Sequence, residues 1–416
     1  MDFFSAIPLP LWIAALLAFY MAWAIGANDV ANAMGTSVGS GALTVGGAVI
    51  VAAIFEFAGA FLAGGHVTDT VRKGMLDMSS LDREQLIYGM MASLASAGTL
   101  LIGATRFGLP ISTTHAIVGA IVGFGAVAIG IDAVNWPKVL QISLSWITSP
   151  LLAGVIAFAI FHLIRSTILN KSNPVHQIRK YGPAFFFFVF FIIGLVTLFK
   201  GLKHINLDLD LMEALAGSVA LGLIGSGIGA FFIRRVQIGE ADPDHRFDQV
   251  ERIFVVLQIL TACAIAFAHG SNDVANAIGP LAAIVNAVEN VDLTATTPIA
   301  PWMLAIGGLG IVIGLATWGY RVMETIGKKI TELTPSRGFA AQLAAASTIV
   351  LASRLGIPIS TTHTLVGAVL GVGFARGIAA INLRIVRTIF ISWIVTLPAG
   401  AILAVLFFYV LKTFLG

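Results

Sequence analysis

Two aspartates raise the first chemical question. Asp29 lies in Gly-Ala-Asn-Asp-Val-Ala-Asn-Ala (26–33), and Asp273 lies in Gly-Ser-Asn-Asp-Val-Ala-Asn-Ala (270–277). Each follows about eighteen largely apolar residues, with no Lys or Arg in the same stretch to pair with it. A carboxylate taken out of water alone is costly, so it either takes up a proton or finds a cation. Asn28 and Asn32, like Asn272 and Asn276, stand at i and i+4, on one face of a helix or of its frayed end. Amide oxygens, a carboxylate and the freed carbonyls of a helix C-terminus would form an oxygen cage. Such a cage suits a hard cation such as Na⁺. Capping or packing by Asn and Asp explains one such tract, and explains two matching copies less well.

The second duplicated tract is Gly-Leu-Pro-Ile-Ser-Thr-Thr-His at 108–115, with Gly-Ile-Pro-Ile-Ser-Thr-Thr-His at 356–363. Pro110 and Pro358 suit the first turn of a helix, where a missing N–H costs nothing. Ser112, Thr113 and Thr114, and likewise Ser360, Thr361 and Thr362, then fall in that turn. Free backbone N–H groups and three hydroxyls converge there at the positive end of the helix dipole, which makes an anion site. Two such ends meeting across a pseudo-twofold axis would surround a tetrahedral oxyanion. Ordinary N-capping accounts for one hydroxyl of each three.

Other polar residues join these as further candidates. His115 and His363 follow the hydroxyls and could donate to an anion or shuttle a proton, or simply pack. Arg106 and Arg354 precede the glycines; they could contact an anion directly, or serve as charge at a helix C-terminus or snorkel to the interface. Glu56, Gln258 and Gln342 interrupt apolar segments, so each needs a partner or a ligand. Nucleotide-binding loops, zinc motifs and nucleophile elbows are absent from the sequence, which argues against ATP-driven pumping by this chain and against common hydrolase chemistry.

The elements that must position these residues are membrane helices. Of 416 residues, 58% are apolar and 11% charged, against about 25% charged in a soluble domain. The 44 glycines suit close helix packing. The single cysteine, Cys263, excludes an internal disulfide framework. No basic n-region marks a cleaved signal peptide, so the first span is expected to be retained. A net charge of +3, with Lys and Arg mainly in loops, orients membrane segments and signals no nucleic-acid partner.

Twelve apolar segments are expected, near 9–26, 42–64, 86–105, 111–131, 138–164, 183–200, 211–233, 251–268, 298–320, 338–354, 356–375 and 386–411. An internal repeat organises them. Residues 26–35 match 270–279 at eight of ten positions, and 106–120 match 354–368 at eleven of fifteen. Ser145-Trp146-Ile147 echoes Ser392-Trp393-Ile394, and the three offsets are 244, 248 and 247. Two transmembrane repeats result, 1–165 and 250–416, joined by a connecting helix pair and a charged loop over 166–249. If all twelve segments cross, the halves are inverted and the loops carry 15 Lys/Arg on one side and 7 on the other. The richer side is then cytoplasmic. If segments 4 and 11 are re-entrant hairpins the tally becomes about 16 to 6, so charge does not decide between the two. The fold expected is an all-α polytopic membrane protein with inverted-topology repeats, whose broken helices or hairpins meet at the bilayer midplane.

The paired GANDVANA/GSNDVANA and GLPISTTH/GIPISTTH tracts, in this order, make the chain resemble the inorganic phosphate transporter (PiT) family over nearly its whole length. The resemblance implies a cation-coupled importer of inorganic phosphate with twelve spans, inverted repeats, elevator-like movement of a core, a homodimer in a lipid bilayer, and either Na⁺ or H⁺ as coupling ion. The short 234–252 loop is similar to the compact prokaryotic form, which places the protein in a bacterial or archaeal inner membrane. The family pattern has a glutamate where this chain carries Gln342, after Gly338-Phe339, so an ionisable role at that position is not carried over.

The residues agree with that implication. Phosphate is assigned to Ser112, Thr113, Thr114, Ser360, Thr361 and Thr362. Na⁺ is assigned to Asn28, Asp29, Asn32, Asn272, Asp273 and Asn276, with His115, His363, Glu56, Gln258 and Gln342 as additional candidates. Na⁺ is preferred over H⁺ because an amide-rich oxygen cage suits a metal ion, whereas a proton needs only the carboxylate. No organic cofactor is expected. Sulfate or another oxyanion, a membrane enzyme acting on a phosphorylated lipid, and a passive channel are the alternatives. The duplicated, undifferentiated site argues against the enzyme.

Overall fold

The computed structural model describes residues 8–65, 68, 75–76, 81–198, 209–235, 246–289, 298–355, 357 and 359–415. Among them the chain is all-helical apart from one isolated bridge between Leu76 and Val134. The helices are α1 (Leu9–Gly39), α2 (Val45–Ala63), α3 (Arg83–Arg106), α4 (Thr113–Ala128), α5 (Trp136–Ile164), α6 (Pro174–Val196), α7 (Leu211–Arg235), α8 (Arg246–Glu289), α9 (Pro301–Trp318), the short α10 (Tyr320–Glu324), α11 (Pro335–Arg354), α12 (Thr361–Arg376) and α13 (Leu383–Leu415). Each of the twelve apolar segments falls on one of the longer helices. Among the described residues, nine helices are long and apolar enough to cross a membrane, so a count of twelve crossings goes beyond what length and composition give. Gly356, Pro358 and most of the 234–252 loop lie outside the described residues.

Two expectations about helix ends need correction. The NDVANA tracts do not end a helix. α1 continues to Gly39 as 31 residues, and α8 runs for 44 residues through its own tract. At about 1.5 Å per residue these helices reach roughly 46 and 66 Å. The apolar run stops at Asp29 and Asp273, but Ala and Asn carry the helical backbone onward. Its carbonyls there stay in the helical ladder instead of being freed. Pro110 also lies outside the first turn of α4. That helix starts at Thr113 with Ser112 as its N-cap. The turn before it is made by Gly108, whose φ of +65° suits only a residue without a side chain.

α4 and α12 have 16 residues each, roughly 24 Å of helix. That is short of a hydrocarbon core of about 30 Å. Each follows a longer helix, α3 or α11, through a loop of a few residues. The two therefore form helical hairpins whose turns carry the Ser-Thr-Thr tracts.

The halves interlock. α1 packs on α9 and α8 on α2, while α4 packs on α13 and α12 on α5. Small residues allow backbone contact at each crossing. A Cβ on Gly26 would lie 1.9 Å from the Ile311 carbonyl oxygen, and one on its repeat mate Gly270 would lie 2.1 Å from that of Glu56. Gly119 and Gly367 meet Leu397 and Pro150 in the same way, each at 2.3 Å. Every one of these contacts joins one half to the other. The connecting helices α6 and α7 instead pack on each other, with Gly222, Gly225 and Gly229 seated under Phe187, Phe190 and Phe186. Phe185 packs inward on Phe254 and Phe339, while Phe188 is exposed.

A helix-surface glycine and a crossing glycine should therefore respond in opposite ways to alanine. Gly26→Ala must push α9 away and is expected to cost about 1–3 kcal/mol through overpacking. Gly103→Ala on the exposed face of α3 meets no atom within 4 Å and should be neutral or gain about 0.5–1 kcal/mol. Thermal unfolding of the detergent-purified variants measures both.

Candidate functional site

Asp29 and Asp273 are each 1% exposed, and the long helices α1 and α8 bring them side by side. One ligand atom from each of Asp29, Asp273 and His269 lies within 4.8 Å of the others. No Lys or Arg is among the buried side chains of the described residues. The two carboxylates are held instead by hydroxyls. Thr113 donates to Asp29 Oδ2, and Thr362, from the other half, donates to Asp29 Oδ1 at 3.2 Å. Thr361 donates to Asp273 Oδ2 at 2.8 Å. Asn32 Nδ2 donates to Thr362 Oγ1 at 2.8 Å and Thr361 Oγ1 at 3.4 Å, and Asn272 Nδ2 donates to Asp273 Oδ1 at 2.6 Å.

The two hairpin turns meet reciprocally. Thr114 donates to the Ile359 carbonyl at 3.0 Å, and the Thr362 hydroxyl, whose one proton is shared with Asp29 Oδ1, lies 3.3 Å from the carbonyl of Ile111, the repeat mate of Ile359. Ser112 and Ser360 act as N-caps, accepting from the His115 and His363 amides at 3.2 Å in both copies. Capping thus takes one hydroxyl per tract. The amides of Thr113, Thr114, Thr361 and Thr362 sit at the first two helical positions, where no intrahelical acceptor exists. Two helix N-termini thus converge beside the carboxylate pair.

Each remaining candidate has a definite place. Asn28 holds the turn before α4: its Nδ2 donates to Thr105 Oγ1 at 2.9 Å and the Leu109 carbonyl at 3.1 Å, and its Oδ1 accepts from the Ile111 amide at 3.3 Å. Asn32 Oδ1, Asn272 Oδ1 and Asn276 Nδ2 are buried without a hydrogen-bond partner. Gln342 bridges three helices, donating to the Ala33 carbonyl at 2.9 Å and Ser37 Oγ at 2.8 Å while accepting from Thr261 at 3.1 Å. Gln258 accepts from Ser40 at 2.7 Å. Both glutamines thus tie helices together away from the carboxylates. Arg106 sits on the exposed last turn of α3. His115 and His363 turn to each other, ring centroids 4.4 Å apart, and each places Nδ1 3.2 Å from a tryptophan carbonyl.

His269 is the residue that sequence reasoning missed. Its Nε2 lies 3.0 Å from Asp273 Oδ2 and its Nδ1 3.2 Å from Glu56 Oε1, all three side chains being buried. The i, i+4 spacing of His269 and Asp273 was the available signal. Among the described residues no equivalent chain reaches Asp29. Gly26 and Gly270 are repeat mates, and they touch Ile311 and Glu56 in equivalent crossings. Ile311 and Ile25 therefore stand, with the halves exchanged, where Glu56 and His269 stand beside Asp273, and both are fully buried.

At an effective dielectric of about 20, two unit charges 4 Å apart repel by roughly 4 kcal/mol. Two adjacent carboxylates with unpartnered amide oxygens favour hard cations, and the helix N-termini beside them favour an anion. A polytopic membrane protein with such a buried pair of carboxylates beside two helix N-termini has the make-up of an ion transporter. Comparison narrows the class to a family. Residues 25–404 match the phosphate transporter family, and the chain belongs to it. It is 49% identical over 405 residues to the "Putative phosphate permease" of Haemophilus influenzae, covering 97% of this chain and 96% of that one. It is 43% identical over 459 residues to "Inorganic phosphate transporter 2-1, chloroplastic" of Arabidopsis thaliana, covering 99% of this chain and 77% of that one. A solved structure described as the sodium-dependent phosphate transporter superposes with a TM-score of 0.90 at 41% identity, covering 98% of this chain and all of the other.

The asymmetric Glu56–His269 pair yields a stability test. Removing one partner leaves the other buried and uncompensated, which costs about 3–5 kcal/mol, while an apolar pair of similar volume is often tolerated. His269→Ile and Glu56→Ile should each lower the unfolding temperature of the purified protein. The double variant, which copies the Ile25/Ile311 pair, should melt above either single variant.

Proposed function

We propose that this member of the phosphate transporter family imports inorganic phosphate by symport with Na⁺. The observation that carries the proposal is the placing of Asp29 and Asp273 next to each other and next to the N-termini of α4 and α12. Phosphate near pH 7 brings one to two negative charges. With both carboxylates ionised, three to four negative charges would share a site of low dielectric. Bound cations convert that repulsion into attraction, so cation and phosphate each raise the other's affinity by the same factor.

In this reading the amides and hydroxyls of Thr113, Thr114, Thr361 and Thr362 hold the anion, with Ser112 and Ser360 fixing the helix starts. Asp29, Asp273, Asn32, Asn272 and Asn276 supply oxygens to the cations, and Asn28 anchors the turn that carries Ile111. Thr113, Thr361 and Thr362 donate to the carboxylates, and they can rotate to donate to an oxyanion once a cation takes the carboxylate oxygens. The hairpins then move with the carboxylate-bearing helices as one elevator-like core, alternating access across the membrane, in a homodimer. The structural neighbour's sodium dependence supports Na⁺ as the coupling ion.

Two measurements test this. In proteoliposomes at fixed pH, phosphate uptake should require an inward Na⁺ gradient, and uptake that follows ΔpH without Na⁺ would overturn the Na⁺ assignment. Asp29→Ala and Asp273→Ala should each abolish uptake while the protein still inserts and purifies. In thermal unfolding, Na⁺ and phosphate together should raise the melting temperature by more than the two separate shifts added. Additive shifts would break the link between the carboxylates and the anion site.

A further inference from the structure

A cavity of about 750 Å³ lies between α5, α12 and α13, with His115 of α4 at one end. Its buried end is formed by His115, His363, Trp146 and Trp393, and its outer wall by Ile147, Leu151, Val155 and Ile394. The wall residues are 60–75% exposed and belong to the apolar spanning helices α5 and α13, so the mouth opens toward the bilayer. Neither the cations nor the anion assigned above use this space.

Its buried end has an unsatisfied polar chemistry. His115 Nδ1 faces the Trp393 carbonyl and His363 Nδ1 faces the Trp146 carbonyl, each at 3.2 Å. A carbonyl only accepts, so each Nδ1 carries the proton and each neutral ring presents Nε2 as an acceptor. Both Nε2 atoms are buried without a hydrogen-bond partner, and so are the indole Nε1 atoms of Trp146 and Trp393, which only donate. Two acceptors and two donors thus lie together beneath apolar walls. Buried polar atoms are normally paired. A group that both donates and accepts pairs with this set, whereas a carboxylate or phosphate, which only accepts, meets the two Nε2 lone pairs. Among the described residues no Asp, Glu, Lys or Arg lines the cavity, so none of them compensates a charged headgroup. The volume falls within the range of roughly 300–1,000 Å³ typical of sites for one small ligand.

We propose that this cavity binds an uncharged single-chain membrane amphiphile, of the monoacylglycerol class. Its hydroxyl head hydrogen-bonds His115, His363, Trp146 and Trp393, and its alkyl chain lies along Leu151, Val155 and Ile394. The occupant would rest against the residues that directly follow Thr114 and Thr362, and so against the starts of both hairpin helices. This site is independent of the transport reading, because its residues are not those assigned to phosphate or cations.

The test is native mass spectrometry of the full-length protein titrated with 1-monooleoylglycerol and with methyl oleate, which keeps the chain and lacks the hydroxyls. The hydroxylated lipid should bind about tenfold more tightly, a difference within reach of one or two hydrogen bonds. Leu151→Trp and Ile394→Trp sit at lipid-exposed positions, should leave the melting temperature unchanged, and should abolish binding by filling the mouth. Trp393→Phe removes one indole donor and should bring the preference for the hydroxylated lipid down to about threefold or less. Equal binding of the two lipids, binding that survives both mouth variants, or no binding at all would overturn the proposal. So would mouth variants that shift only the monomer–dimer ratio, which would make the groove a contact between copies of this chain.

Discussion

The structure depends on one electrostatic constraint. Two carboxylates, Asp29 and Asp273, share a space less than 5 Å across inside a bundle of apolar helices, with no Lys or Arg buried among the described residues. Isolated, each is costly to ionise. The protein supplies only partial compensation: hydroxyls from Thr113, Thr361 and Thr362, an amide from Asn272, and one imidazole. Such a site is incomplete in charge but complete in geometry. A permanent salt bridge would satisfy both aspartates; this arrangement leaves their charge to be completed, as the proposed cation binding requires.

That geometry requires both halves at once. Asp29 is held by one hydroxyl from its own half and one from the other, and the Ile111 and Ile359 carbonyls are engaged across the same divide. The crossings of α1 with α9 and of α8 with α2 repeat this exchange at the level of packing. In a membrane, helices gain little from burying apolar surface against each other, so close approach at small residues carries the association. Glycines whose missing Cβ admits a neighbouring carbonyl place the helix axes near enough for short Thr and Asn side chains to reach across. The site's short hydrogen bonds are therefore a consequence of the glycine crossings.

Much of this was legible in the sequence for identifiable reasons. The helices announced themselves as long apolar runs. The duplicated tracts revealed the repeat because identical polar residues in an apolar background carry far more information than Leu for Ile. The sequence pattern also grouped residues that the fold brings together, since Asp29, Asp273 and the Thr-Thr pairs do converge. Helix continuity was misjudged. Hydropathy falls at Gly26-Ala-Asn-Asp, and a hydropathy reading ends the span there. Ala27, Ala31 and Ala33 have the highest helix propensity, however, and packing against α9 and α10 keeps the helix going to Gly39. His269 was passed over because the repeat drew attention to what the halves share, and it has no counterpart in the first half.

The differences between the halves are themselves ordered. The bridge formed by Ser37, Ser40, Gln258, Thr261 and Gln342 maps through the repeat onto Leu281, Ile284, Ala14, Leu17 and Leu94. The Glu56–His269 pair maps onto Ile311 and Ile25. Every polar group of this set belongs to one side of the pseudo-twofold relation, and every mate is apolar. Buried polar groups cost free energy unless they are paired, so drift alone would tend to remove them. Here most of them are paired with one another, while their mates are closed by hydrocarbon alone. The same crossing backbone is thus held by hydrogen bonds on one side and by packing on the other.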